Sequence, residues 1–547
     1  GCAFAFHKDD TEIEPVSKWP EQKSAYPKVP TLSLYQKCNP EPKLEAWGWS
    51  ARKMAQSQAI SKDDKYFLLS QFKLQLDDTL KSEPLEGGLT ALDVIADYLE
   101  GLVAYATPEI LKTFGKTYTP QQFRFCLTVP AMWSDQAKNL MRRAAIKAKL
   151  INKNDHPDRL ILVSEPEAAA AYCERNCGRF KLEHKDRFMV CDAGGGTVDL
   201  IVYEMDKTTS GRQLSEVVSG HGASCGSIFL DKNAQKLLEE KFGEEAMARI
   251  PPNLMTLIVE RFSEEIKPFF KGDEDLAMML PYSGFFDTLK NADEIGIAEG
   301  LMTLSVEDLK NKVFEPVVKD VIKLIRLQLD EAKECPSILL VGGFGTSEYL
   351  QKRIQEEFRD RVDYVGVPPR PELAVVRGAV YVGVNSTVKT RIARRSYGIG
   401  CSREYLFELD EAIMNRVYIS PHGLMVGNCC HWFVKKGQKI DVDECVVHEF
   451  ETTKAWDQGE ECPIEDQDFR LTIYLYEGSG EPPEFTDSPG VKELAHIRKE
   501  NPFRIREKFG AIATSTVKMY FGANEIKATC EIRGKEYSAK LEFLSDL

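Results

Sequence analysis

Long apolar runs are missing from this 547-residue chain: none reaches the roughly 20 residues that a membrane-spanning helix needs. Positive charge is short as well. The 71 Lys and Arg against 85 Asp and Glu leave a net charge of -14, which argues against nucleic acid as a partner, because phosphate backbones are held by clustered cations. The Walker-type Gly-x-x-x-x-Gly-Lys-Ser/Thr loop does not occur. The 14 cysteines form no Cys-x-x-Cys pair and no His-x-Cys spacing. They read as reduced thiols of a cytoplasmic protein rather than as a disulfide framework or zinc ligands. An initiating methionine is also lacking: the chain opens at Gly1 on the alternating segment CAFAF, and an N-terminal piece is expected to precede it.

What is present is ordinary for a globular protein, with 43% hydrophobic and 29% charged residues. A helix is predicted over Leu89–Phe114. The β-rich run RFCLTVP ends at Pro130 and leads to a helix over DQAKNLMRRAAIKAKL, with Ser134 as its N-cap. The strand RLILV then precedes SEPEAAAAYC, where Ser164 and Glu167 stand at capping-box spacing and Pro166 falls in the first turn. From Arg187 the pattern of strands followed by helices restarts, with helices through Phe270 and from Val306 to about Lys333, then the strand SILLV and the helix SEYLQKRIQEEF. Two successive α/β halves suggest two lobes with a cleft between them. After Lys389 the texture changes to short alternating segments, such as Leu471, Ile473, Leu475 and Val517, Met519, Phe521, which predict an all-β module. The expected division is therefore 1–186, 187–389 and 390–547.

Two glycine clusters carry the candidate chemistry. In MVCDAGGGTVDLIVYEM, Asp192 ends one strand, Gly194, Gly195 and Gly196 make the turn, and Thr197 and Asp199 begin the next strand. The turn admits two readings, a plain hairpin that needs glycine for positive φ, or a nest of backbone N–H groups around a phosphate. Three consecutive glycines exceed what a hairpin needs, and paired aspartates suit a Mg²⁺ held through water. The second cluster, LLVGGFGTSEYL, sets Gly342, Gly343 and Gly345 between a strand and a helix. It fits either close approach to a ligand or a tight packing turn, since Glu348 stands where a dinucleotide fingerprint has its third glycine. Glu165, at the start of its helix, is placed to point into a cleft. Lys73, in QFKLQL, carries no local signal.

In this order, LTVPAMWSDQAKNLMRRAA, SEPEAAAAY, DAGGGTVDL, GHGASCGS, LLVGGFGTSEYL and PELAVVRGAV resemble the ATPase domain of the seventy-kilodalton heat-shock chaperones, within the actin and sugar-kinase superfamily. The C-terminal segment, with FVKKGQKI and LTIYLYEGSGE, is similar to that family's β-sandwich substrate-binding domain. The variant GGFGTSEYL, with no helical segment after the sandwich, is most similar to the family's divergent twelve-type branch. The resemblance implies an α/β fold of two ribonuclease H-like, actin-type lobes and a C-terminal β-sandwich without a helical lid. It implies ATP or ADP and Mg²⁺ as cofactors, with Asp192 and Asp199 holding the ion through water and Gly194, Gly195, Gly196 and Thr197 on the phosphates. Glu165 would sense the nucleotide's state, and Lys73 would orient the attacking water. Gly226 would belong to a second phosphate loop, Gly342, Gly343, Phe344 and Glu372 would lie beside the nucleoside, and Glu264 and Lys267 would grip the adenosine.

Departures from the family pattern are equally specific. Its Asp-x-Gly-Thr-Thr hairpin is expected just before Gly1, Thr346 stands in place of an adenine-stacking arginine, and VKTRIARRSYGIG replaces an acidic, leucine-rich linker. The expected function is an ATP-binding, ATP-hydrolysing chaperone-like protein, with extended hydrophobic peptides or unfolded clients and co-chaperones as partners. The rival is a nucleotide-sensing scaffold with little turnover. A sugar or acetate kinase on the same fold is disfavoured by the appended β module.

Overall fold

The computed structural model describes residues 1–5, 12–56, 65–77, 83–114, 118–176, 180, 182–208, 211–251, 253–386, 388–407, 411–455, 470–503, 506–522, 525–538 and 542–543. The chain divides into two compact units, Gly1–Leu214 with Gly220–Val388, and Ser215–Ser219 with Lys389–Leu547.

In the first unit, the strand Arg187–Ala193 is central. It pairs in parallel with Ser337–Val341, which pairs in parallel with Tyr364–Gly366, and it pairs antiparallel with Val198–Thr208. From Phe188 to Ala193 every residue is buried, as expected of a strand covered on both faces. The helix Glu165–Arg175 packs on these strands, and Glu315–Ala332 packs on Val198–Thr208. The earlier half holds smaller sheets: Leu32–Gln36 between Lys43–Trp47 and Tyr66–Ser70, the parallel pair Phe125–Val129 with Leu160–Ser164, and the short pair Ala3–Phe4 with Glu14–Pro15.

Helix limits follow local chemistry. The first long helix runs over Ala91–Phe114, starting two residues after the expected Leu89, and it buries Val94, Tyr98, Ala106 and Ile110 along one face. Ser134 caps the helix Asp135–Lys147, its Oγ accepting from the Ala137 N–H at 3.2 Å. The capping box expected at Ser164 is not formed: Ser164 is the N-cap residue but makes no side-chain cap bond. Pro166 has already removed one first-turn donor, and Glu167 is buried in the core at 1% exposure.

The second unit is built from antiparallel strands. One sheet runs, edge to edge, Val417–Ser420, Gly423–Val434, Ser396–Glu404, Arg470–Tyr476, Val491–Arg498 and Glu542–Phe543; the other runs Cys445–Thr453, Ile512–Tyr520, Lys527–Ile532 and Lys535–Ser538. Ile399, Val434, Ile473 and Ala495 from the first share one core with Val517, Met519, Ala528 and Cys530 from the second. The alternating residues of the sequence supply this core.

Candidate nucleotide site

The hairpin Arg187–Ala193/Val198–Thr208 sets Asp192 directly opposite Asp199, and the Gly194 N–H donates to the Thr197 carbonyl at 3.0 Å to close the turn. The turn is therefore a true hairpin, and Gly194 to Thr197 also line a cavity of about 1380 Å³. A Cβ added at Gly195 would meet nothing within 4 Å, whereas one at Gly196 would come 2.9 Å from Leu74 Cδ2. From behind, Gly226, Ser227 and Ile228 donate their N–H groups to the carbonyls of Gly196, Gly194 and Gly195 at 3.1, 3.1 and 2.9 Å. Gly226 is thus spent on supporting the turn. A Cβ there would fall 2.4 Å from Gly195 O, and Gly226 does not line the cavity.

Around this turn gather the other charged groups. Glu165, first residue of its helix, accepts from Lys73 Nζ at 2.6 Å; the lysine also reaches Thr128 O at 3.5 Å and lies 5.3 Å over the Trp133 ring. Asp199 does not line the cavity; its Oδ1 accepts from the Ala131 N–H at 2.9 Å. Burial pushes the Asp192 carboxyl well above its ordinary value, the charges of Glu165 and Asp199 push it further, and Lys28 and Lys73 oppose the shift. Lys28, which the sequence did not single out, lines the same cavity. Burial lowers its pKa, against the opposing pull of Asp192 and Glu372.

The second glycine turn arrives by strand pairing, because Val341 sits beside Asp192 in the parallel register. Gly342 has φ +81, and a Cβ on it would lie 2.3 Å from Ala193 O and 2.5 Å from Asp192 Oδ1. Only glycine fits there. Gly342, Gly343 and Glu372 line the cavity, and Phe344 does not; it is buried in the core. Glu372 accepts from Arg370 Nε at 2.6 Å. The Thr346 hydroxyl donates to Gly343 O at 2.7 Å.

Glu264 lines the cavity and one of its carboxylate oxygens is engaged: Arg52, on the helix Gly48–Ala55, holds Glu264 at 2.9 Å and Glu260 at 3.0 Å. Lys267 lies outside the lining and is bound to both carboxylate oxygens of Asp231 at 2.7 and 2.8 Å, an aspartate that also accepts from Ser263 Oγ. Arg52 and Asp231 were not singled out from the sequence. Each is an ordinary charge on a helix until the fold brings its partner alongside.

The donor set fits a hydrated Mg²⁺. Asp192, Asp199 and Glu165 crowd negative charge that a divalent cation would relieve. Among the described residues, no three His, Cys, Asp or Glu side chains are grouped closely enough to hold a metal by themselves. An ion that keeps its waters, takes phosphate oxygens as further ligands and is bound through one or two carboxylates would suit Asp192 and Glu165, which both line the cavity. Among the described residues no helix is long and apolar enough to cross a membrane.

No protein-family model matches the chain. Heat shock 70 kDa protein 12A of Homo sapiens is 24% identical over 618 aligned residues, covering 97% of this chain and 87% of that protein, and its Mus musculus counterpart is 25% identical over the same coverage. Heat shock 70 kDa protein 12B of Homo sapiens is 24% identical over 638 residues, covering 100% of this chain and 90% of that protein. Over nearly its whole length, the chain is similar to heat shock 70 kDa proteins 12A and 12B, at 24–25% identity.

Proposed function

We propose that the chain binds Mg-ATP in its first unit and hydrolyses it as an actin-type ATPase, with lobes 1–186 and 187–389 closing on the nucleotide and 390–547 acting as a β-sandwich. The observation that carries this reading is the meeting in one cavity of the Gly194–Thr197 turn, the Gly342–Gly343 turn, Asp192, Glu165 and Lys73. Bound Mg²⁺ would neutralise charge on the phosphates and fix their orientation. Asp192 would hold its waters from the cavity wall, with Asp199 outside the lining and bonded to the Ala131 N–H, and the Gly195 and Gly196 backbone would bind phosphate oxygens. Lys73, anchored by Glu165, donates a hydrogen bond to the water that attacks the γ-phosphate. Catalysis then comes from positioning and from charge already in place.

Phosphate release from ATP by the full chain tests this reading. Release with Mg²⁺ that Asp192→Ala abolishes is the expected result, and release no greater than the variant's would sink it. In either this reading or the second, a nucleotide-sensing scaffold with little turnover, Glu264 is engaged with Arg52 and Lys267 with Asp231 before nucleotide arrives. These two groups would have to leave their partners before gripping adenosine.

For the second unit, we propose capture of extended apolar peptides. Phe407, Met414 and Ile419 are 76%, 57% and 84% exposed there, and Tyr405 links the first two, its ring 5.0 Å from that of Phe407 and its hydroxyl 3.3 Å from Met414 Sδ. Retention of labelled apolar peptides by the chain, reduced in Phe407→Ser and Ile419→Ser, is expected. No retention by the parent chain would end the client role.

A further inference from the structure

Three carboxylates, Glu165, Asp192 and Glu372, and two ammonium groups, Lys73 and Lys28, line the cavity together with the glycine turns. The two lysines are used differently. Lys73 is closed onto Glu165 at 2.6 Å, while Lys28 forms no ion pair among the described residues, although Asp192 and Glu372 act on it electrostatically. Its reach is set by the second turn: a Cβ on Gly343 would lie 3.5 Å from Lys28 Nζ, the nearest heavy atom. Its backbone is fixed as well. In the stretch YPKVP, two prolines restrict the chain on either side, Pro27 and Val29 are buried, and Gln22 Nε2 donates to Tyr26 O at 2.9 Å and Lys28 O at 3.4 Å.

A cation held partly out of water, with no ion-pair partner among the described residues and beside a turn that only glycine can make, is suited to an anion arriving from the cavity. We infer that Lys28 is a phosphate-binding residue, which grips the phosphate chain of a nucleoside diphosphate or triphosphate at the Gly342–Gly343 turn. This rests on the nucleotide reading and sharpens it, because it makes recognition of the phosphate chain depend on a lysine outside both glycine motifs. The charge balance agrees: a phosphate brings negative charge into a site already crowded with carboxylates, so it needs a cation besides the metal.

Calorimetric titration of the full chain with ADP and, separately, adenosine, both with Mg²⁺, tests the assignment in parent, Lys28→Met and Lys28→Arg proteins. Loss of one charge-assisted contact weakens ADP binding about tenfold or more in Lys28→Met, leaves adenosine affinity unchanged, and is partly restored in Lys28→Arg. Unchanged ADP affinity, or an equal fall for adenosine, overturns it. Acylation of Lys28 in the parent chain, read by mass spectrometry, gives a check that requires no variant to fold. ADP protects the lysine and adenosine does not; equal labelling with both overturns the inference. A parent chain that binds neither ADP nor ATP sinks the nucleotide reading itself, whereas normal ADP binding by Lys28→Met removes only the role of Lys28.

Discussion

Gly342 and Gly195 show two different demands for glycine within one site. At Gly342 the backbone has φ +81 and a methyl group would press on Ala193 O and the Asp192 carboxylate. Gly342→Ala is expected to cost about 1–3 kcal/mol in denaturant unfolding. At Gly195 the space is open, so Gly195→Ala is expected to stay within about 0.5 kcal/mol of the parent while its methyl group stands where a phosphate would lie and weakens nucleotide binding. Equal destabilisation of the two variants would contradict this distinction. The glycines and aspartates of DAGGGTVD are legible in the sequence because hairpin pairing alone brings Asp192 opposite Asp199. Lys28 is not, because its place depends on residues 28, 192, 343 and 372 meeting through the tertiary fold.

Helix packing sets the position of Glu165. The helices Glu165–Arg175 and Ala374–Val384 approach so closely at Gly378 that a Cβ there would fall 1.7 Å from the Ala168 carbonyl oxygen. Gly378→Ala therefore forces the helices apart. An overpacking cost of about 1–3 kcal/mol is expected, with a fall in any ATP turnover, because Glu165 begins the displaced helix; turnover and stability equal to the parent's would refute the dependence. A second pair of elements, Gly48–Ala55 and Leu254–Arg261, is joined by Arg52 on Glu260, with Gln56 Nε2 adding a bond to the same carboxylate at 2.7 Å. Such partly exposed pairs are each worth up to about 1 kcal/mol, so loss of both Arg52 pairs in Arg52→Ala should speed release of a fluorescent nucleotide by no more than about 30-fold. An unchanged rate in a stopped-flow chase would show that these contacts do not guard the cavity. The helices themselves follow from apolar spacing, whereas the ion pair between them joins residues some 200 positions apart, which no local pattern encodes.

At the scale of the whole molecule, the second unit begins its main run at Lys389, and short alternating apolar segments lie in it. The alternation of apolar residues marks the β strands there but not their pairing, so the meeting of His431 and His448, one from each sheet, appears only in the structure. Their ring centroids are 4.4 Å apart, beside Phe433 and Phe450. Burial, and then His448, hold His431 below its ordinary value of 6.5. The unfolded chain therefore takes up this proton at a higher pH than the folded one, and stability falls as the pH drops below about 6.5. Hydrogen exchange in Gly423–Val434, corrected for intrinsic rate, should rise between pH 7 and 5.5, and His431→Phe should flatten the rise; an unaltered profile in the variant would assign it to other groups. The central claim, a Mg²⁺-dependent nucleotide site between the two glycine turns, is met most directly by calorimetric titration of the full chain with ATP. The account predicts one ATP bound per chain, with affinity that falls when Mg²⁺ is chelated and is lost in Asp192→Ala; no binding, or the same affinity with and without Mg²⁺ and in the variant, would contradict it.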